Sequence, residues 1–141
     1  MVDKELVENR LHRLELILKK LNKISKIEKD DFKIDEGLQD QAERNLQLAA
    51  QICIDIGNHI ISDEGFRPPA SYGEIFQVLK EEGIIDEELA ETMRKIAGIR
   101  NILVHDYLKV DSNIVYSTLQ KLEDFKKFAS LISEFIYDGG N

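Results

Sequence analysis

Apolar residues recur along the chain at spacings of three and four almost throughout, and no stretch keeps the strict alternation of a half-buried strand. The pattern therefore predicts an all-α fold. A first helix is expected over about 3–24, where Val7, Leu11, Leu14, Leu18 and Leu21 form a heptad-like stripe and Lys4, Glu8, Lys19 and Lys20 lie largely outside it. A polar stretch with Lys26, Glu28, Lys29, Asp30 and Asp31 breaks the period and reads as a connector with short helical turns, anchored by Phe32 and Ile34. A second helix, about 35–62, carries Leu38, Ala42, Leu46, Ala49, Cys53, Ile56 and Ile60 on one face, with Arg44, Gln51, Asp55, Asn58 and His59 around the other. Gly57, which costs a helix interior about 1 kcal/mol relative to Ala, predicts a close approach by another helix.

The clearest loop is 63–72, with Gly65, Pro68 and Pro69. A short helix over about 73–82 follows, with Ile75, Phe76 and Leu79 inward and Gly83 as its stop. Asp86 reads as the N-cap of a longer helix, about 87–107, with Ile85 and Ala90 as a hydrophobic staple. Gly98 within that helix predicts a close crossing, with Gly57 as its counterpart, or else room for a phosphate beside the residues that follow. Asp111 can cap a last helix whose apolar face comprises Leu119, Leu122, Phe125, Phe128, Ala129, Ile132, Phe135 and Ile136. That face is broad enough to suggest burial on two sides, as when a bundle helix also meets a partner. The expected architecture is an antiparallel bundle of four main helices plus a short one, in a single domain spanning 1–141.

At 141 residues, with a third of them charged, the chain suits one domain with a substantial core. Its net charge of −8 argues against a general nucleic-acid binder, so any RNA contact is expected to be local. From Asp86 to Lys109 the charge divides: Asp86, Glu87, Glu88 and Glu91 precede Arg94, Lys95, Arg100 and Lys109, an order that the helix dipole also favours. No apolar run is long enough for a membrane span, and charged residues follow Met1 closely, so a cytoplasmic location is expected. The single cysteine, Cys53, lacks a partner for an internal disulfide and reads as a small buried residue.

The stretch richest in chemistry is Arg100-Asn101-Ile102-Leu103-Val104-His105-Asp106-Tyr107, which gathers a guanidinium, an imidazole and a phenol within eight residues. On a helix, Arg100 and His105 point about 140° apart, so one helix does not easily aim both at one atom. A surface charge and a packed imidazole would account for them in the ordinary case. Here they interrupt a run of Ile96, Ala97, Ile99, Ile102, Leu103 and Val104, where a charged residue seldom sits without a partner. They are the catalytic candidates, with Asn101 and Arg44 as possible supporting groups. No cluster of carboxylates or of Cys and His suggests a metal site, and no Gly-rich loop suggests a nucleotide cofactor.

The pattern Arg-x4-His-x-Tyr, met by Arg100, His105 and Tyr107, resembles the signature of the HepT-like branch of the HEPN proteins. Glu43-Arg44-Asn45-Leu46-Gln47-Leu48-Ala49, Asp55-Ile56-Gly57-Asn58-His59-Ile60-Ile61, and Pro68-Pro69 followed by Tyr72, Phe76 and Leu79 resemble the same family in the same order. The likeness covers about residues 3–137. It implies a helical bundle that pairs about a two-fold axis, so that two copies of the motif meet and Arg100 of one chain can lie near His105 of the other. It also implies an endoribonuclease toxin partnered by an MNT-type nucleotidyltransferase, which silences it by binding or by transferring AMP to Tyr107. A metal-independent cleavage would suit these residues: an imidazole, with an ordinary pKa of about 6.5, can move a proton near neutral pH, and a guanidinium can hold phosphate. A cyclic phosphate product is the expectation. The alternative is a non-catalytic helical module that binds a nucleotidyltransferase, with the same residues only ordering an interface.

Overall fold

The computed structural model describes residues 1–105 and 110–139. They form helices α1 (Lys4–Ser25), α2 (Lys29–Ile34), α3 (Glu36–Glu64), α4 (Tyr72–Glu81), α5 (Glu87–His105), α6 (Ser112–Leu119) and α7 (Glu123–Glu134), the last running on into a π-helical turn, Phe135–Gly139. No strand occurs among the described residues, as the hydrophobic period predicts.

The central element is α3, which buries Ala50, Ile52, Ile54, Gly57 and Ile61 in addition to the one face expected. It is covered from several sides. The chain start runs antiparallel to it, because the Met1 ammonium donates to the Asp63 carbonyl at 3.1 Å and the Asp3 backbone N–H donates to Asp63 Oδ2 at 3.1 Å. Gly57 meets α4: a Cβ there would stand 2.5 Å from Ile75 Cγ2. Helix α5 lies antiparallel to α4, pinned by Lys80 to Glu87 at 2.7 Å and by Arg94 Nη1, which donates to Gln77 Oε1. Phe76 of α4 meets Phe128 of α7 edge-on, with ring centroids 5.7 Å apart.

Local chemistry accounts for the boundaries. The carboxylates of Asp3, Asp35, Asp86 and Asp111 and the hydroxyl of Ser71 accept backbone N–H groups at the starts of α1, α3, α5, α6 and α4, occupying donors that a helix cannot satisfy itself. Gly65 and Gly83 end α3 and α4 at φ of 69° and 76°, where a Cβ is strained. Gln39 is buried and donates to the carbonyls of Phe32 and Lys33, closing the end of α2.

Three expectations are corrected. The last helix is two, α6 and α7, separated at residues 120–122. Helix α6 docks towards the end of α1, where Tyr116 donates to the Ile27 carbonyl and Gln120 to that of Ser25, while α7 packs on α4 and α5; one straight rod cannot do both. The connector is anchored by Phe32, which is fully buried, but Ile34 is 83% exposed. Gly98 does not cross Gly57, since among the described residues nothing lies within 4 Å of where its Cβ would be. The outer edge of the α7 face, Ala129, Leu131 and Phe135, stays half-buried. Among the described residues, no helix is long and apolar enough to cross a membrane.

Candidate functional site

Helix α5 buries Leu89, Ala90, Met93, Ile96 and Ala97, and this inward stripe fixes which side chains face out near its end. Gly98, Asn101, Ile102 and His105 are exposed, and Arg100 is half-buried. Ile102 is 46% exposed, an apolar residue beside the imidazole and next to an open glycine. The charged outer residues Glu87, Glu88, Glu91 and Lys95 thus give way to a surface of small, neutral and apolar groups.

Arg100 turns towards α4. Its Cζ lies 5.1 Å from the centroid of the Tyr72 ring, and its Nη1 donates to Asn101 Oδ1 at 3.1 Å. Its Nε is buried without a hydrogen-bond partner. A cation set beside an aromatic ring and a neutral amide, rather than a carboxylate, keeps its charge for an incoming anion. Asn101 therefore does stand against Arg100. Arg44 is exposed on α3, and the described contacts do not join it to Arg100 or His105. Tyr107, the proposed modification point, lies outside the described residues, as do Asp106 and Lys109.

His105 closes α5, about one and a half turns beyond Arg100. Within one chain the two catalytic candidates diverge as helix geometry requires, Arg100 towards α4 and His105 outward.

The residue that sequence reasoning left without a role is Tyr72. It is 42% exposed and opens α4, and the antiparallel α4–α5 pairing brings it to Arg100 from 28 positions away. Only its place in the Pro-Pro-x-x-Tyr stretch pointed to it. Its neighbours are firmly held: Arg67 contacts Glu74 at 2.6 Å and Glu81 at 2.8 Å, and holds both carboxyls below their usual range. Elsewhere on α3, Gln51 donates to Asp55 Oδ1 at 2.9 Å, and burial pushes the Cys53 thiol up, so it stays protonated and apolar. Among the described residues, no three of His, Cys, Asp or Glu are grouped to hold a metal ion.

The family model described as Ribonuclease HepT-like matches residues 14–132. The mRNA nuclease HepT of Shewanella oneidensis is 33% identical over 129 residues, 91% of this chain and 96% of its own. The tRNA nuclease HepT of Aphanizomenon flos-aquae is 30% identical over 136 residues, 96% of this chain and 92% of its own. A solved structure of the tri-AMPylated Shewanella oneidensis HEPN toxin in complex with MNT antitoxin superposes with a TM-score of 0.84 at 33% identity, covering 94% of this chain and 98% of that one. With its helical architecture and the Arg100 and His105 pattern on α5, this chain belongs to the Ribonuclease HepT-like family.

Proposed function

We propose that this protein is a metal-independent endoribonuclease, the toxin of a toxin–antitoxin pair, and that it cuts RNA at a homodimer cleft lined by Arg100 and His105 of both copies. The observation that carries the reading is Arg100, half-buried beside the Tyr72 ring at 5.1 Å, on the same helix end as an exposed His105. The relatives named as mRNA and tRNA nucleases and the HEPN toxin solved with its MNT antitoxin support it.

In this reaction the RNA 2′-hydroxyl attacks the adjacent phosphorus and gives its proton to an imidazole. The bond from phosphorus to the 5′ oxygen breaks, and that oxygen takes a proton from water, leaving a 2′,3′-cyclic phosphate and a free 5′-hydroxyl. Arg100 holds the phosphate and stabilises the charge it gains in the transition state. DNA, which lacks the 2′-hydroxyl, is not cut. Two copies are needed because one α5 directs Arg100 and His105 apart, whereas a two-fold axis sets the Arg100 of one copy against the His105 of the other.

The partner is an MNT-type nucleotidyltransferase that silences the toxin by binding it or by transferring AMP to Tyr107. The added phosphate and nucleoside would block the cleft and repel RNA. The relative solved in a tri-AMPylated state supports this regulation.

The test compares wild type with Arg100→Ala and His105→Ala, in chelator, on a pool of cellular RNA, with the fragment ends analysed. Cleavage by wild type that both folded variants lose, leaving cyclic phosphate ends, is expected. No cleavage, or equal cleavage by all three, would overturn the assignment and leave a binding module.

A further inference from the structure

We infer that Tyr72 is the positioning residue of the site: its ring holds the Arg100 guanidinium in the pose from which it meets the RNA phosphate. This rests on the ribonuclease reading above and adds to it a residue from outside the Arg-x4-His-x-Tyr motif.

A guanidinium can be fixed through its edge or through its face. A carboxylate partner fixes it through the edge, taking the N–H pairs that a phosphate needs and cancelling the charge the phosphate seeks. An aromatic ring fixes it through the face, leaving charge and edge donors in place. Arg100 has an aromatic rather than a carboxylate partner: Cζ sits 5.1 Å from the Tyr72 centroid, and among the described residues no carboxylate is paired with it, its Nη1 donating only to the neutral Asn101 Oδ1. Nearby Arg67 shows the first arrangement, with Glu74 and Glu81 on its edge, and reads as a structural clamp.

The clamp serves the same end. Tyr72 is the first residue of α4, directly after the Ser71 cap, whose hydroxyl accepts the Glu74 backbone N–H at 3.2 Å. Glu74 is in turn tied by Arg67, and Arg67 to Glu81 two turns further on. The start of α4 is thereby fixed from both directions. The ring itself is 42% exposed, so core packing does not explain a tyrosine at this position.

The experiment uses the full chain and the variants Tyr72→Phe, Tyr72→Leu and Tyr72→Ala, with two readouts. The first is single-turnover RNA cleavage with RNA affinity measured separately. Tyr72→Leu and Tyr72→Ala are expected to cleave about ten-fold more slowly, with a smaller change in affinity, and Tyr72→Phe to match wild type. The second readout is the side-chain Nε–H resonance of Arg100 in the NMR spectrum, assigned with Arg100→Lys. Ring-current displacement in wild type should vanish in Tyr72→Leu and persist in Tyr72→Phe.

Full activity in Tyr72→Leu overturns the inference, as does equal loss in Tyr72→Phe, which would make the hydroxyl rather than the ring responsible. An Arg100 resonance indifferent to Tyr72→Leu overturns it without any reference to activity. A wild-type chain that cuts no RNA instead overturns the ribonuclease reading, while the resonance still decides whether the pair forms.

Discussion

At the scale of single residues, the two helical glycines separate two meanings of the same signal. Gly57 faces buried Ile75, whose Cγ2 would lie 2.5 Å from an added Cβ, and a buried isoleucine cannot swing aside cheaply. Gly57→Ala is expected to destabilise the chain by about 1–2 kcal/mol, the overpacking outweighing the better helix propensity. Among the described residues nothing lies within 4 Å of a Cβ at Gly98, so Gly98→Ala should stabilise the single chain by up to about 1 kcal/mol. Urea melts of both variants at high dilution check the opposite signs. A spacing pattern sees a glycine in a helix but not what stands opposite, which is why the expected Gly57–Gly98 crossing did not materialise.

At the scale of elements, caps and ion pairs tie helices to one another as well as to themselves. Asp86 accepts the Leu89 backbone N–H at 2.8 Å at the start of α5 and contacts Lys127 of α7 at 3.0 Å. The backbone N–H first, and the Lys127 ammonium second, hold its carboxyl below the ordinary aspartate range. A lowered folded value means that the stabilisation is complete above the unfolded pKa, about 3.9, and is lost as pH falls through the folded value. Asp86→Asn is therefore expected to lower the urea midpoint at pH 7, with the difference shrinking as pH falls through the lowered folded value. Because the pair is exposed, the effect should be modest and weaken in high salt. The Asp86 cap was legible in the sequence; the Lys127 pairing, 41 residues away, was not.

At the scale of the whole molecule, the proposed cleft needs two chains. If Arg100 of one copy works with His105 of the other, mixing Arg100→Ala with His105→Ala restores one intact site per mixed dimer. Random exchange then gives about a quarter of wild-type cleavage, from two chains that are inactive alone. A mixture as inactive as its components would place both groups in one chain and contradict the shared cleft. Sedimentation of each variant checks that dimers still form.

The sequence by itself determined the helices and their caps, because the hydrophobic period, the Asp and Ser caps and the stop glycines act within a few residues of chain. It also pointed to Arg100 and His105, whose types and spacing lie within one helix, and to the family, whose resembling segments follow the same order along the chain. Tertiary structure alone decided the rest. Direction of docking split the last helix into α6 and α7 at a turn that carries neither Gly nor Pro. It buried Phe32 while leaving Ile34 in water, and it brought Tyr72 onto Arg100 through the pairing of α4 with α5. These outcomes depend on contacts between elements distant along the chain, and a local pattern carries no information about which surfaces will meet.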